Sequence, residues 1–389
     1  MTPEQSKFIA DMQAMLAKLP ALFEVTPTPV PTPVTGFTVQ GGKIFKGSQK
    51  IQLRGISHFG FNGDILRPMG LWNQEWHAQL AQIAKYFNAV RVPFVPDTLY
   101  AAKGSDSSLG VNTDLAGKTP LQTLDLWMAE ADRLGLYILL DFHSVSKMSQ
   151  YFHPFVTDPN NYGKGKWVET WNQQPYTTAN WIRDLVFVAN RYKHLSNFMG
   201  IDIFNEPHDR VRWDTGGDAQ WKPLAEKAAT AILAANPNLL IFVQGITANW
   251  DGKEKTIPLN WGENLQPQAY SPLNIQNNKL VLSPHTYGPD TYMKPSFSAP
   301  NYPKNLPADW ETAFGQFSPK NAVVVGEWGG DSFGNSLIWQ NAFVDYLISK
   351  DMRSTFYWSY YGSGDTGDIL NDDLTINEGN LTLLRRLWG

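Results

Sequence analysis

The chain of 389 residues contains no cysteine. Disulfides are excluded, and so are structural metal sites built on thiolates. No apolar run approaches the roughly 20 residues that span a bilayer. Charge of one sign is also missing: 32 Lys and Arg face 36 Asp and Glu, a formal net charge of -4. Nothing forms the basic stripe that nucleic acid requires. No Gly-rich phosphate fingerprint follows any strand-like run, which argues against a doubly wound nucleotide-binding sheet. Residues 1–20 lack the apolar centre of a secretory signal, because Glu4, Asp11 and Lys18 interrupt it. The protein is therefore expected to be intracellular or to have lost a leader.

Apolar side chains are plentiful. Hydrophobic residues make up 42% and charged residues 17%, enough for a large core. Fifteen Trp and fifteen Tyr exceed what a core calls for and suggest exposed stacking platforms. The length fits two average domains or one α/β barrel.

Residues 3–19 read as an amphipathic helix. Thr2 caps it, Pro3 suits its first turn and Gln5 completes a capping box. Phe8, Ile9, Met12, Met15, Leu16 and Leu19 form one apolar stripe. From Thr26 to Pro33, Thr and Pro dominate and predict a semi-rigid polyproline spacer. Residues 1–36 are thus set apart from a second unit, 37–389.

That second unit opens with a hairpin, Phe37–Gln40 and Lys43–Phe45 around Gly41-Gly42. Eight strand-like runs follow: Gln52–Ile56, Ala89–Pro93, Tyr137–Phe142, Gly200–Phe204, Leu239–Val243, Lys279–Ser283, Ala322–Val325 and Thr355–Trp358. Helical patterns lie between most of them, including Glu75–Phe87, Leu121–Leu134, Thr178–His194, Trp221–Ala235, Asp309–Phe317, Leu337–Ser349 and Asn380–Leu387. Eight βα units predict an α/β fold, a single (β/α)8 TIM barrel.

In such a barrel the carboxyl ends of all strands meet at one face. The residues there are Arg91, Asp141-Phe142-His143, Asn205-Glu206, His285-Thr286-Tyr287, Gly326-Glu327 and Trp358. Singly, Arg91 is as readily a structural ion-pair partner and His143 a satisfied core histidine. Together they give two carboxylates, Glu206 and Glu327, across a pocket with an aromatic floor. Glycoside hydrolysis needs that arrangement: one carboxyl protonates the departing oxygen, the other attacks the anomeric carbon or activates water. Arg91 is expected to lower the pKa of Glu327, leaving a less solvated Glu206 protonated.

The motifs Gly70-Leu71-Trp72, Asn88-Ala89-Val90-Arg91-Val92-Pro93, Asn205-Glu206-Pro207-His208-Asp209, Asn236 to Val243, Gly326-Glu327, Trp358-Ser359 and Ser363-Gly364-Asp365-Thr366-Gly367 resemble those of glycoside hydrolase family five. The resemblance covers about residues 37–388 and runs closest to the bacterial endo-β-1,4-glucanases. It implies Glu206 as acid/base, Glu327 as nucleophile and a retained anomeric configuration. It gives Asn205 the sugar 2-hydroxyl, Arg91 and Tyr287 the surroundings of the nucleophile, and His143 and His285 the family's two histidines. Trp358 resembles the stacking platform before the cleaved bond. Trp72, Trp213 and His58 join it as expected substrate contacts.

A secreted enzyme acting on β-glucan is implied, with no cofactor and no nucleic-acid or membrane partner. Ser57-His58, Trp328 and Ser144-Val145-Ser146 depart from the family's pattern, which bears on the outer subsites. Asp365, Asp368, Asp372 and Asp373 lack the spacing of a calcium loop, so no metal is expected. A β-mannanase or xyloglucanase on the same frame is the alternative enzyme. A non-catalytic β-glucan-binding protein and a metal hydrolase are the alternatives of other kinds.

The stripe on residues 3–19 would expose apolar surface at about 25 cal/mol per Å². It is expected to dock on the barrel's outer helices or on a second copy of the chain. A truncation starting at Thr35 should melt lower or change in mass by light scattering, with an unaltered turnover number. Unchanged melting and mass would reduce the segment to a linker.

Overall fold

The structure is a computed structural model that describes residues 36–145, 170–171, 174–208, 211–214, 220–247, 259–276, 278–362 and 366–389. The expected N-terminal helix and Thr/Pro spacer lie outside the described residues, as does the centre of the loop around Gly364.

Strand β1 (Phe37–Gln40) pairs antiparallel with β2 (Lys43–Lys46), and β2 with β3 (Gln49–Ile51). The first turn is Gly41-Gly42 with φ of +53° and +71°, the left-handed pair that a tight hairpin demands. The chain then alternates: β4 (Arg54–Ser57), α1 (Trp76–Tyr86), β5 (Ala89–Phe94), a short α2 (Pro96–Tyr100), α3 (Pro120–Arg133) and β6 (Tyr137–Phe142). A two-residue ribbon, β7 (Thr170–Trp171) and β8 (Gln174–Pro175), precedes α4 (Thr178–Arg191) and β9 (Phe198–Asp202). Then come α5 (Trp221–Ala235), β10 (Leu240–Val243), β11 (Leu280–Leu282) and α6 (Leu306–Ala313). Last are β12 (Ala322–Val323), β13 (Val325–Trp328), α7 (Gly334–Ser349), β14 (Thr355–Tyr357) and α8 (Glu378–Trp388).

The main sheet is parallel, in the order β12-β11-β10-β9-β6-β5-β4-β14-β13. Its first and last members are one strand broken at Val324, whose N–H still donates to Leu282 at 2.9 Å. The sheet therefore closes on itself, and the chain forms the expected (β/α)8 barrel. Predicted and observed strands differ by a residue or two at their ends, except the seventh, which resumes after Val324 as β13 and runs three residues past Val325 to Trp328. The largest helix shift is α6, which starts at Leu306 with Pro307 in its first turn. The expected stretch to Phe317 ends in a separate 3-10 turn, Gly315–Phe317.

Alternation along the strands sorts the core. Val90, Val92, Ile138, Leu140, Ile241 and Val243 face outward into the large cluster beneath the helices. Ala89, Leu139, Met199, Leu240, Phe242, Val281 and Phe356 face inward and meet Phe37, Val39, Ile44 and Ile51 of the N-terminal sheet. This sheet stops the lower end of the barrel. It is tied there by Phe37 N–H to the Asn238 carbonyl (3.0 Å) and Val39 N–H to that of Asn278 (2.8 Å). No helix among the described residues is long and apolar enough to cross a membrane.

Phe37 is buried and packs edge-on against Tyr137, ring centroids 5.8 Å apart. Phe37→Ala should cost about 3 kcal/mol by creating a cavity under the barrel. Denaturant unfolding will measure it; a loss below about 1 kcal/mol would mean that the hairpin is not part of the core.

Candidate active site

The same alternation carries polar groups upward from the apolar floor. After Ala89 the next inward residue on β5 is Arg91; after Leu139 on β6 it is Asp141; on β9, where a register shift against β6 at Met199 breaks the alternation, it is Asp202. All three side chains are wholly buried. The Arg91 guanidinium contacts Asp141 at 3.0 Å, Asp202 at 3.2 Å and Glu327 at 2.5 Å. It also donates to Asn205 Oδ1 at 2.9 Å. Since arginine only donates, the Asn205 amide must turn its Nδ2 elsewhere, and Asn205 lines the cavity above. Burial alone would push the guanidinium down, but Asp141, Glu327 and Asp202 hold it above its ordinary value.

Glu327 has two further neighbours. Tyr287 Oη donates to its Oε2 at 2.9 Å, and His285 Nδ1 lies 3.6 Å from the same oxygen. That imidazole nitrogen is also 3.0 Å from Glu206 Oε1. The nearest oxygens of Glu206 and Glu327 thus fall within 4.8 Å of one another. Burial, Arg91 and His143 hold His285 well below its usual range, so it bridges the carboxyls as a neutral ring.

Burial raises both carboxyls. The charge of Glu327 drives Glu206 further, to well above the carboxylate range. Arg91, His143 and the Tyr287 hydroxyl draw Glu327 back, but burial still leaves it above its ordinary value. A lowered Glu327 was expected from the sequence. The difference arises because one guanidinium serves three carboxylates. The order within the pair is as expected, Glu206 being the one that keeps its proton.

Above the carboxyls is an open cavity of about 570 Å³. Phe59, Trp358 and His143 line it as nearly parallel rings, Trp358 being 5.6 Å from Phe59 and 5.8 Å from His143. His143 is fixed by Nδ1 against Asp141 Oδ2 at 2.6 Å. Burial holds His143 down to about 3 and raises Asp141 to about 7. On the side of Glu206, Trp261 is half exposed and stacks on His208 at 3.8 Å.

Eight predicted residues converge here: Arg91, His143, Asn205, Glu206, His285, Tyr287, Glu327 and Trp358. Three do not. His58 is buried outside the cavity lining, its ring packed on Trp127 and Tyr360 and its Nε2 3.3 Å from the Met69 carbonyl. Trp213 is buried and donates to the Ser271 carbonyl at 2.7 Å, joining two loops. Trp72 is 44% exposed but stands outside the lining, edge-on to Tyr361. Asp202, Gln244, Asn260 and Trp261 also belong to the site, beyond the residues expected from the strand ends. Asp202 carried a signal, an acid between Ile201 and Ile203 in a buried run.

Two groups, Glu206-His285-Glu327 and Asp141-His143-Glu327, are close enough to share a metal ion. Both contain Glu327, so an ion in either would sit beside the Arg91 guanidinium. Of these ligands, Asp141 and Glu327 already pair with Arg91.

The model of the cellulase family, glycosyl hydrolase family 5, matches residues 45–364. The chain belongs to glycosyl hydrolase family 5. It is 42% identical over 347 residues to the major extracellular endoglucanase of Xanthomonas campestris, covering 87% of this chain and 68% of that protein. The catalytic domain of the major endoglucanase from that species superimposes with a TM-score of 0.82 at 39% identity, over 90% of this chain and 99% of that one. An endocellulase from Pyrococcus horikoshii, solved as a variant complex with cellotetraose, gives 0.78 at 32% identity, over 92% and 100% of the two chains.

Glu206 keeps its proton in the fold to a higher pH than in the unfolded chain. Its contribution to stability is therefore full below about pH 4 and is lost as pH rises toward the folded value. Glu206→Gln preserves the neutral shape at every pH. Its melting temperature should match the parent near pH 4 and exceed it by a growing margin toward pH 7. A margin independent of pH would contradict the raised value.

Proposed function

We propose that the protein is an endo-acting β-1,4-glucanase that cleaves internal bonds of cellulose or related β-glucans by retaining double displacement, with Glu206 as acid/base and Glu327 as nucleophile. The observation that carries this reading is the pair of carboxyls facing one another within 4.8 Å beneath an aromatic-walled cleft. Inverting enzymes place their carboxyls about 6.5–9.5 Å apart to admit a water, and retaining ones closer.

In the first step a Glu327 oxygen bonds to the anomeric carbon and the glycosidic C–O bond breaks. The proton of Glu206 passes to the departing sugar oxygen. Arg91 and Tyr287 hold Glu327 in attacking position and stabilise its charge. In the second step water attacks the glycosyl-enzyme ester from the face that the leaving group vacated. Glu206, now a carboxylate, takes its proton and Glu327 is released. Asn205 turns its Nδ2 to a sugar hydroxyl, and Trp358 offers an apolar ring face. The cleft is open at a solvent-facing surface, which suits internal cleavage of a long chain.

Support for a glucan comes from the family and from the cellotetraose held by the Pyrococcus endocellulase. The Xanthomonas relative is an extracellular endoglucanase, which supports a place outside the cell.

Glu327→Ala should lose at least about 1,000-fold in turnover, and azide should restore product as the α-glycosyl azide. Glu206→Ala, given a substrate with an activated leaving group, should form the β-glycosyl azide. Identical stereochemistry from both variants would overturn the assignment. Carboxymethyl cellulose should be hydrolysed faster than galactomannan or xyloglucan, with no loss on treatment with EDTA.

A further inference from the structure

The inward positions of β10 are Leu240 and Phe242, and the next in that series is Gln244. Its side chain is wholly buried at the level of the catalytic carboxyls. Trp221 Nε1 of α5 donates to its backbone carbonyl at 2.8 Å, so its main chain is fixed. Its Oε1 accepts the backbone N–H of Glu206 at 2.7 Å, and its Nε2 donates to Asp202 Oδ2 at 2.8 Å. A backbone N–H can only donate, so the amide has one orientation. Gly262, at φ +72°, makes room for it: a Cβ there would lie 2.6 Å from Gln244 Oε1.

Glu206 needs such a hold. Its φ is +51°, a left-handed conformation that a residue with a Cβ adopts when its surroundings enforce it. Two side chains grip its backbone: Gln244 on the N–H and His208 Nδ1 on the carbonyl, at 2.8 Å. Through Asp202, Gln244 also joins that backbone to the guanidinium that seats Glu327.

We propose that Gln244 is the positioning residue of the general acid. It fixes Glu206 in the left-handed conformation that aims the carboxyl at the glycosidic oxygen, and its effect falls on proton delivery rather than on nucleophilic attack. This rests on Glu206 being the acid. Without the amide, the Glu206 N–H is buried and unpaired, and the backbone relaxes to a negative φ that turns the carboxyl away.

Two aryl β-cellobiosides separate the steps. The phenyl glycoside needs a proton on its leaving oxygen as the C–O bond breaks. The 2,4-dinitrophenyl glycoside departs as a stable phenolate and needs none. In Gln244→Met, which keeps the length and removes both hydrogen bonds, kcat/KM on the phenyl glycoside should fall about 100-fold or more, the scale of general acid catalysis. The fall on the dinitrophenyl glycoside should be under about 5-fold. Equal losses on both, or none on either, overturn the proposal. Glu206→Ala is measured alongside. If it too loses equally on both substrates, the acid assignment fails; if it discriminates and Gln244→Met does not, Gln244 alone loses its role. Should Gln244→Met not fold, Gln244→Asn withdraws the amide by one methylene and is judged on the same two substrates.

Discussion

One guanidinium holds the top of this barrel together. Arg91 is enclosed by Asp141, Asp202 and Glu327, all buried. Removing a carboxylate from water costs several kcal/mol even after relaxation, and an unpaired one would be expelled or protonated. Three acids are tolerated at one depth because the same cation faces each. The balance is nonetheless incomplete. One positive charge meets three carboxyls, with Glu206 a fourth close by, and burial raises every one of them. The fold thus lacks the countercharge to ionise them all, and the proton shortage in bulk water at neutral pH is met by protons kept inside. Glu206, which the charge of Glu327 raises further, is where such a proton is of use.

Holding a proton is insufficient without direction. The strand β9 ends at Asp202, four residues before Glu206, so the acid is carried by irregular backbone. Side chains replace the missing ladder. Gln244 and His208 bind the two peptide groups of Glu206, and Asn260 Oδ1 does the same for the Tyr287 N–H at 3.0 Å. Asn260 is in turn held through its own N–H by Glu263, whose carboxylate is paired with Lys294 at 2.7 Å. Glu206 and Tyr287 are thereby locked in place by neighbouring side chains rather than by a strand ladder.

How much of this was legible in the sequence depended on the kind of information involved. Period-two strands and helical stripes located the eight βα units, because burial on one face is written residue by residue. Strand ends then located Glu206, Glu327 and Arg91. The same period would have corrected His58. Ser57 follows Ile56 and faces inward, so His58 must face the helices, where Trp127 receives it. Asp202 was similarly visible as an acid inside an apolar run. Gln244 and Gly262 were not visible. Their importance lies in the positive φ of Glu206, and a backbone angle at a non-glycine residue leaves no mark in composition or spacing. Trp213 misled for a different reason: its indole N–H fastens two loops, a task indistinguishable in sequence from stacking on a sugar.

The chemistry also depends on residues well below it. The carboxyl interactions described here are strong because the barrel beneath them is dry, and it is dry because Phe37, Val39, Ile44 and Ile51 fill its lower mouth. Water entering from below would solvate Asp141 and Asp202, weaken their hold on Arg91 and let Glu206 ionise. The region matched by the family model starts at Ile44's neighbour, residue 45, and ends at 364. The physical unit is longer on both sides. It needs β1, which hydrogen-bonds to the Asn238 and Asn278 carbonyls, and α8, whose Leu381, Leu384 and Leu387 are buried in the outer cluster. A hairpin that touches no sugar therefore belongs to the catalytic machinery in an energetic sense, since it sets the dielectric in which two glutamates divide one proton.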